Sequence, residues 1–326
     1  MYKSFEAFME RIVDYAGLFP PADLSLESAL INYETYRRSS DVWMLSRFII
    51  PVSKLQELSP YGESLFTEKK PWDFSVLGKR TETLSEFSAY LDETVAAMEQ
   101  LHTVYPGSVT TDMFEIALPR EVVFANDQSL VAEACRITEK HFGDDSTLPG
   151  SVFFEAYFEE SWQKDISEIL KGIEVHNNQP DEENGIHAGF KLRCGGVEKR
   201  AFPSIEQIAF VIRQAKEYNV ALKATAGLHH PVRHYAEEVQ TKMHGFFNVF
   251  GGAMLNAKFG LSQKNLEQIL RDEDAEHFEF TDVGFKWQEW SLSVEEITKL
   301  RNEVITTFGS CSFDDPREDL KKLQWM

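Results

Sequence analysis

Cysteine is the first scarcity: 326 residues contain three, Cys135, Cys194 and Cys311, with no Cys-x-x-Cys spacing. That excludes a disulfide framework and a thiolate zinc site, and it fits a reducing, cytoplasmic compartment. Long apolar runs are also missing. No stretch reaches the ~20 residues that span a bilayer, so no membrane partner is expected. The opening Met1-Tyr2-Lys3-Ser4-Phe5-Glu6 carries an early acid and lacks a continuous apolar core, unlike a signal peptide. Positive charge is the third deficit, with 33 basic against 53 acidic residues and a formal net charge of −20. Phosphate contacts need clustered Lys and Arg, so no nucleic-acid partner is expected. Hydrophobic residues at 43% and aromatics at 13% exclude a disordered chain and supply a large core.

Short apolar runs alternate with longer amphipathic segments. Strands are expected at 16–19, 44–50, 74–77, 113–118, 152–158, 188–192, 221–225 and 246–250, with helices at 5–15, 25–37, 84–101, 128–141, 162–173, 205–218, 232–240 and 261–270. Two-sided apolar strands separated by helices predict a parallel sheet buried on both faces. Eight such units within ~250 residues predict an α/β fold, the (β/α)8 TIM barrel. No Gly-x-Gly-x-x-Gly follows the first strand, so a dinucleotide-binding sheet is unsupported. The expected division is a barrel over 1–271 and a C-terminal extension over 272–326, with an aromatic strand-like run at 285–290 and a helix at 294–306. Residues 177–184 read as a polar, acidic loop tip.

Active sites of such barrels lie at the carboxyl ends of the strands and in the loops that follow. Strand six carries Phe190-Lys191-Leu192-Arg193-Cys194-Gly195-Gly196, and strand seven carries Leu222-Lys223-Ala224-Thr225-Ala226-Gly227-Leu228-His229-His230. Two neighbouring strands thus each place a lysine in a barrel interior, where an ammonium is costly. Two ammonium groups ~6 Å apart repel by ~2.8 kcal/mol at an effective dielectric of ~20, which with desolvation favours a neutral, nucleophilic amine. The opposing expectation is that Glu115, in Phe114-Glu115-Ile116, and Glu155, in Phe154-Glu155-Ala156, hold the lysines as structural ion pairs.

These two segments resemble the paired lysine motifs of class I aldolases, particularly deoxyribose-phosphate-aldolase-like barrels. Phe190-Lys191 matches the Schiff-base lysine of strand six. Lys223-Ala224-Thr225-Ala226-Gly227-Leu228-His229 resembles the Lys-x-x-Gly-Gly-[Ile/Val]-Arg run of strand seven, with Ala226 for a glycine and His229 for the basic end. The resemblance implies that Lys191 forms the Schiff base and Lys223 lowers its pKa. Leu192, Arg193 and Cys194 depart from the small hydroxyl residues of the family, and Glu115 stands where it has an aspartate. The run from Lys223 to Pro231 is also similar to one in a set of bacterial proteins that brings no activity with it.

His229, His230 and His234 cluster after strand seven, and with Glu155 they could form a zinc or manganese site. Adjacent histidines tend to point apart, and no His-x-His follows strand one. General acid–base work or substrate binding by His229 or His230 is the other use for them. After the last expected strand, Asn248 and the pair Gly251-Gly252 stand where such barrels bind phosphate on free N–H groups, with Arg193, Arg233 and Ser310 to complete an anion site. Cys194 and Cys311 read as small buried side chains. Asp14 precedes the first expected strand, at the end away from the chemistry.

The expected protein is a Schiff-base lyase acting without a cofactor on a small anionic or phosphorylated carbonyl compound. Lys191, Lys223, Glu155 and Glu115 are its catalytic candidates, and Arg193, His229, His230, Asn248, Gly251, Gly252 and Arg233 its substrate-binding ones. A metal-dependent hydrolase or isomerase using His229, His230 and His234 is the alternative, and a non-catalytic binding or scaffold barrel is the third. Homo-oligomerisation stays open.

Overall fold

The computed structural model describes residues 1–143, 147–156, 158, 161–179 and 185–326. The part of the expected acidic loop at 180–184 lies outside the described residues. Among the described residues thirteen strands occur in chain order: β1 Val13–Tyr15, β2 Leu45–Pro51, β3 Trp72–Leu77, β4 Val109–Ala117, β5 Ser151–Glu155, β6 His187–Arg193, β7 Leu222–Thr225, β8 His234–Ala236, β9 Thr241–Met243, β10 Phe278–Phe280, β11 Gly284–Trp287, β12 Trp290–Ser293 and β13 Ile305–Ser310. The helices are α1 Lys3–Met9, α2 Leu26–Arg37, α3 Ser59–Leu65, α4 Leu84–Val104, α5 Arg120–Ala125, α6 Gln128–Phe142, α7 Trp162–Asn177, α8 Ile205–Glu217, α9 Phe246–Phe259, α10 Gln263–Arg271, α11 Val294–Glu303 and α12 Asp314–Lys322. Eight strands close into a barrel in the order β1-β13-β7-β6-β5-β4-β3-β2. The fold is the α/β TIM barrel expected from the sequence, and no helix among the described residues is long and apolar enough to cross a membrane.

Two compact units divide the chain: Arg47–Lys191, and Met1–Ser46 with Leu192–Met326. In the first, β2 to β6 pair in parallel, and Glu155 of β5 stands opposite Lys191 of β6. Val152, Phe153 and Phe154 are all buried, as a strand covered on both faces requires. In the second unit β13 lies between β1 and β7, again in parallel, with Asp14 opposite Gly309 and Gly309 opposite Thr225. Local signals set the helix starts. Thr83 with Glu86, Ser204 with Gln207 and Ser293 with Glu296 are capping boxes that satisfy otherwise orphaned N–H groups.

Several expected elements are corrected. Residues 16–19 form a turn and not the first strand, which is β1 at Val13–Tyr15, so the helix expected over 5–15 is only α1, ending at Met9. Residues 246–250 are not the eighth strand; they begin α9, whose residues from Phe246 to Asn256 are all buried. A helix apolar on every face gives a continuous run that periodicity cannot separate from a buried strand. The eighth barrel strand is β13, so the expected boundary after 271 does not separate barrel from extension: 272–326 carries the closing strand as well as the small sheet β10-β11-β12. The helix expected at 232–240 is instead the antiparallel hairpin of β8 and β9, placing His234 opposite Met243.

Candidate functional site

In the unit Arg47–Lys191 the barrel wall carries a buried charge cluster. Lys191 Nζ lies 2.9 Å from Glu115 Oε2 and 3.1 Å from Glu155 Oε2. The Ser75 hydroxyl donates to Glu115 Oε1 at 2.5 Å. Glu115, Glu155 and Lys191 are 0%, 5% and 4% exposed, so all three charges have left bulk water. Burial alone would push the Lys191 amine down, but the two carboxylates outweigh it and raise its pKa. The resting amine is therefore an ammonium. This is the ion pairing the sequence offered as an alternative to a free amine, with both carboxylates on one lysine.

The unit of Met1–Ser46 and Leu192–Met326 has its own buried pair. Lys223 of β7 is ion-paired with Asp14 of β1 and donates to Thr307 Oγ1 of β13 at 2.8 Å, while that hydroxyl donates to Asp14 at 2.6 Å. Lys223 and Asp14 are both 0% exposed. Asp14 was misplaced in the sequence because β1 begins three residues before the apolar run at 16–19; an acid inside Val13-Asp14-Tyr15 was the available signal.

At the carboxyl ends of β7 and β13 a second constellation assembles within the same unit. Ala226 (φ 54°) and Gly227 (φ 70°) are both left-handed, and a Cβ on Gly227 would meet Gly195 Cα at 2.8 Å, so glycine is required there. This turn carries His229 to the end of β13. His229 Nδ1 lies 3.3 Å from Ser310 Oγ and 3.6 Å from Asp315 Oδ2, and Nε2 lies 4.0 Å from Cys311 Sγ. The Ser310 hydroxyl donates to Ser312 O at 2.6 Å, so we assign the Nδ1 hydrogen to His229 as donor to Ser310, which leaves Nε2 facing the thiol. Burial lowers the His229 pKa, but Asp315 and Cys311 more than reverse this and take it to about 9. His229 in turn holds the Asp315 carboxyl below its usual range. Cys194 is buried, as expected, and burial pushes its thiol up to about 12; Cys311 is only part-buried.

The histidines do not converge on one point. His230 is paired with Asp319, His234 Nδ1 lies 3.2 Å from Val232 O, and the His229 and His230 rings are 6.5 Å apart. Burial and the neighbouring His230 lower the His234 pKa. Among the described residues no group of three His, Cys, Asp or Glu side chains could hold a metal ion.

The expected anion site is taken apart by α9. Gly251 and Gly252 lie beyond its first turn, so their N–H groups belong to the helix ladder rather than to a ligand. A Cβ on Gly251 would meet the Phe285 ring at 2.9 Å and one on Gly252 would meet Leu266 at 3.0 Å, so close packing explains both. Asn248 is fully buried and ties two backbone segments together: it donates to Ile269 O and Asp272 O at the end of α10 at 2.7 and 2.8 Å and accepts from Arg233 N at 2.9 Å. Arg233 Nη1 lies 3.2 Å from Nδ1 of buried His244, whose Nε2 is 2.8 Å from Pro203 O. Burial lowers His244 to about 4, so it is neutral at pH 7. Arg193 is part-exposed at the end of β6, and Ser310 serves His229 rather than an anion.

No protein-family model matches the chain. No curated protein matches it either. Among solved structures, the chain is similar to a GH6 Orpinomyces sp. Y102 enzyme at a TM-score of 0.36 and 10% identity, over 71% of this chain and 73% of that one.

Proposed function

We propose that the chain is a Schiff-base lyase acting on a small carbonyl compound, with Lys191 as nucleophile and Glu115 and Glu155 as its proton carriers. One observation supports this reading above the others: a lysine amine inside the barrel in contact with two carboxylates at once. One ammonium and two carboxylates leave the cluster with one negative charge. Passing the ammonium proton to a glutamate makes a neutral amine and a neutral acid, and in a dry interior that exchange removes a pair of charges.

The amine then adds to the carbonyl carbon, and the protonated glutamate supplies the proton that leaves with the carbinolamine hydroxyl as water. The resulting iminium occupies the place of the ammonium and faces the same two carboxylates. Its charge is stabilised by groups already in position, with no reorganisation of the site. The glutamate carboxylate takes the substrate's β-hydroxyl proton as the carbon–carbon bond breaks to a carbonyl and an enamine, and then returns that proton to the enamine carbon. The two carboxylates disfavour a phosphate beside the reacting carbon, so an anionic group on the substrate belongs at its far end. Lys223 has its charge compensated by Asp14 and takes no part in this scheme.

Borohydride added with a panel of small aldehydes and ketones tests the reading. An adduct mass on Lys191, lost in Lys191→Met, is expected. Adduct formation should rise with pH, because the glutamates hold the proton on the amine, and Glu155→Gln should shift that rise to lower pH. No adduct on Lys191 from any of the panel would end the proposal.

A further inference from the structure

The rim of β7 and β13 carries groups the lyase scheme does not use. Cys311, His229 and Asp315 stand as thiol, imidazole and carboxylate in the sequence of contacts that activates a nucleophile: sulfur to Nε2 at 4.0 Å, Nδ1 to carboxylate at 3.6 Å. Both separations are longer than hydrogen bonds and of the kind that shorten when substrate binds. Two further observations support the arrangement. Ser310 orients the imidazole so that Nε2 faces the sulfur. Cys311 is the cysteine that solvent reaches, while Cys135 and Cys194 are shut in the core.

We propose that Cys311 is a nucleophile that adds to the carbonyl carbon of a small aldehyde, with His229 as its base and Asp315 as the residue that positions His229. The thiol proton passes to His229 Nε2, and the sulfur forms a C–S bond as the C=O π bond breaks. The alkoxide takes the proton back from the imidazolium and a thiohemiacetal results. No leaving group, oxidant or reductant is needed, so the step balances. The neutral imidazole that accepts the thiol proton becomes populated as pH approaches the His229 pKa of about 9. The step uses none of the groups of the Lys191 chemistry and can be present or absent independently of it.

Isotope-labelled acetaldehyde with the intact protein at about pH 9, where about half of the His229 imidazole is neutral, read by carbon NMR without reductant, tests the proposal. A thiohemiacetal resonance is expected in the wild type, absent from Cys311→Ser and still present in Lys191→Met. Iodoacetamide should alkylate Cys311 at least about tenfold faster than it does in His229→Gln, an effect a buried structural thiol would not give. Asp315→Asn should slow alkylation and lower the ultraviolet thiolate absorbance that Cys311→Ser abolishes, in protein whose circular dichroism is unchanged. A resonance that survives in Cys311→Ser, no resonance in the wild type, or an alkylation rate indifferent to His229→Gln overturns the proposal.

Discussion

Glu155 and Lys191 occupy paired positions on neighbouring strands, and their side chains meet across that pairing at 3.1 Å inside the barrel wall. The register of two strands therefore sets the geometry of the charge cluster, and Glu115 joins it from β4.

Lys191→Met should destabilise the protein by about 3–5 kcal/mol, because it leaves two carboxylates buried without their cation. The penalty depends on pH with a definite sign. Two buried acids facing each other have folded pKa values raised above the unfolded ones, so the variant is least impaired at acid pH and loses stability as pH rises. Urea denaturation at about pH 5 and pH 8 checks this; a penalty equal at both would show that the carboxylates do not share a low-dielectric site.

Asp14→Asn strands Lys223, which is fully buried, and should cost a similar ~3–5 kcal/mol. The double variant Asp14→Leu with Lys223→Met removes both charges and should regain most of that loss. A double-mutant cycle measures the coupling, and additive single effects would contradict a pair joined through Thr307.

His229 gives the wild type a pH-dependent stability. Its folded pKa, about 9, is above the ordinary value of about 6.5, so the stabilisation is complete below about 6.5 and disappears as pH rises through about 9. The melting temperature of the wild type should fall over that window more steeply than that of His229→Gln. Identical slopes would mean that the imidazolium is not held by Asp315.

Asn248→Ala should cost roughly 2–4 kcal/mol, since Asp272 O and Arg233 N–H lose the Asn248 partner, Ile269 O keeps only its bond from Asp272 N, and a buried side chain is removed. A substrate-binding asparagine would instead leave denaturation unchanged and alter ligand affinity. Chemical denaturation alongside ligand titration separates the two roles.

The strands β2 to β7 were legible because each is a short apolar run bounded by turn residues. Where the sequence misled, packing overrode local pattern. β1 holds Asp14 at its centre, so the apolar residues just after it looked the better strand. β13, Ile-Thr-Thr-Phe-Gly-Ser, has few bulky apolar side chains and follows the amphipathic α11 without a break. α9 is apolar all round and imitated the strand that β13 supplies. Within the candidate sites, Lys191 with Glu115 and Glu155 stood out because charges inside apolar strands are conspicuous. The Cys311, His229 and Asp315 grouping did not, because it exists only through the pairing of Ala224 with Phe308 across 84 residues of sequence, a contact that spacing does not reveal.

The place of β13 between β1 and β7 also imposes a timetable on synthesis. Val13 must wait for Phe308. At the ~5–20 residues per second of translation, that is a delay on the order of 15 to 60 seconds. Meanwhile β1 leaves the ribosome with both edges bare, and its buried Asp14 is in water without Lys223. The stretch Arg47–Lys191 is continuous and carries its own ion cluster, so it can organise long before the closing strand is made. From the synthesis of Lys191 until β13 is made, a nascent chain of this protein carries an unclosed barrel, with exposed strand edges for a chaperone to shield.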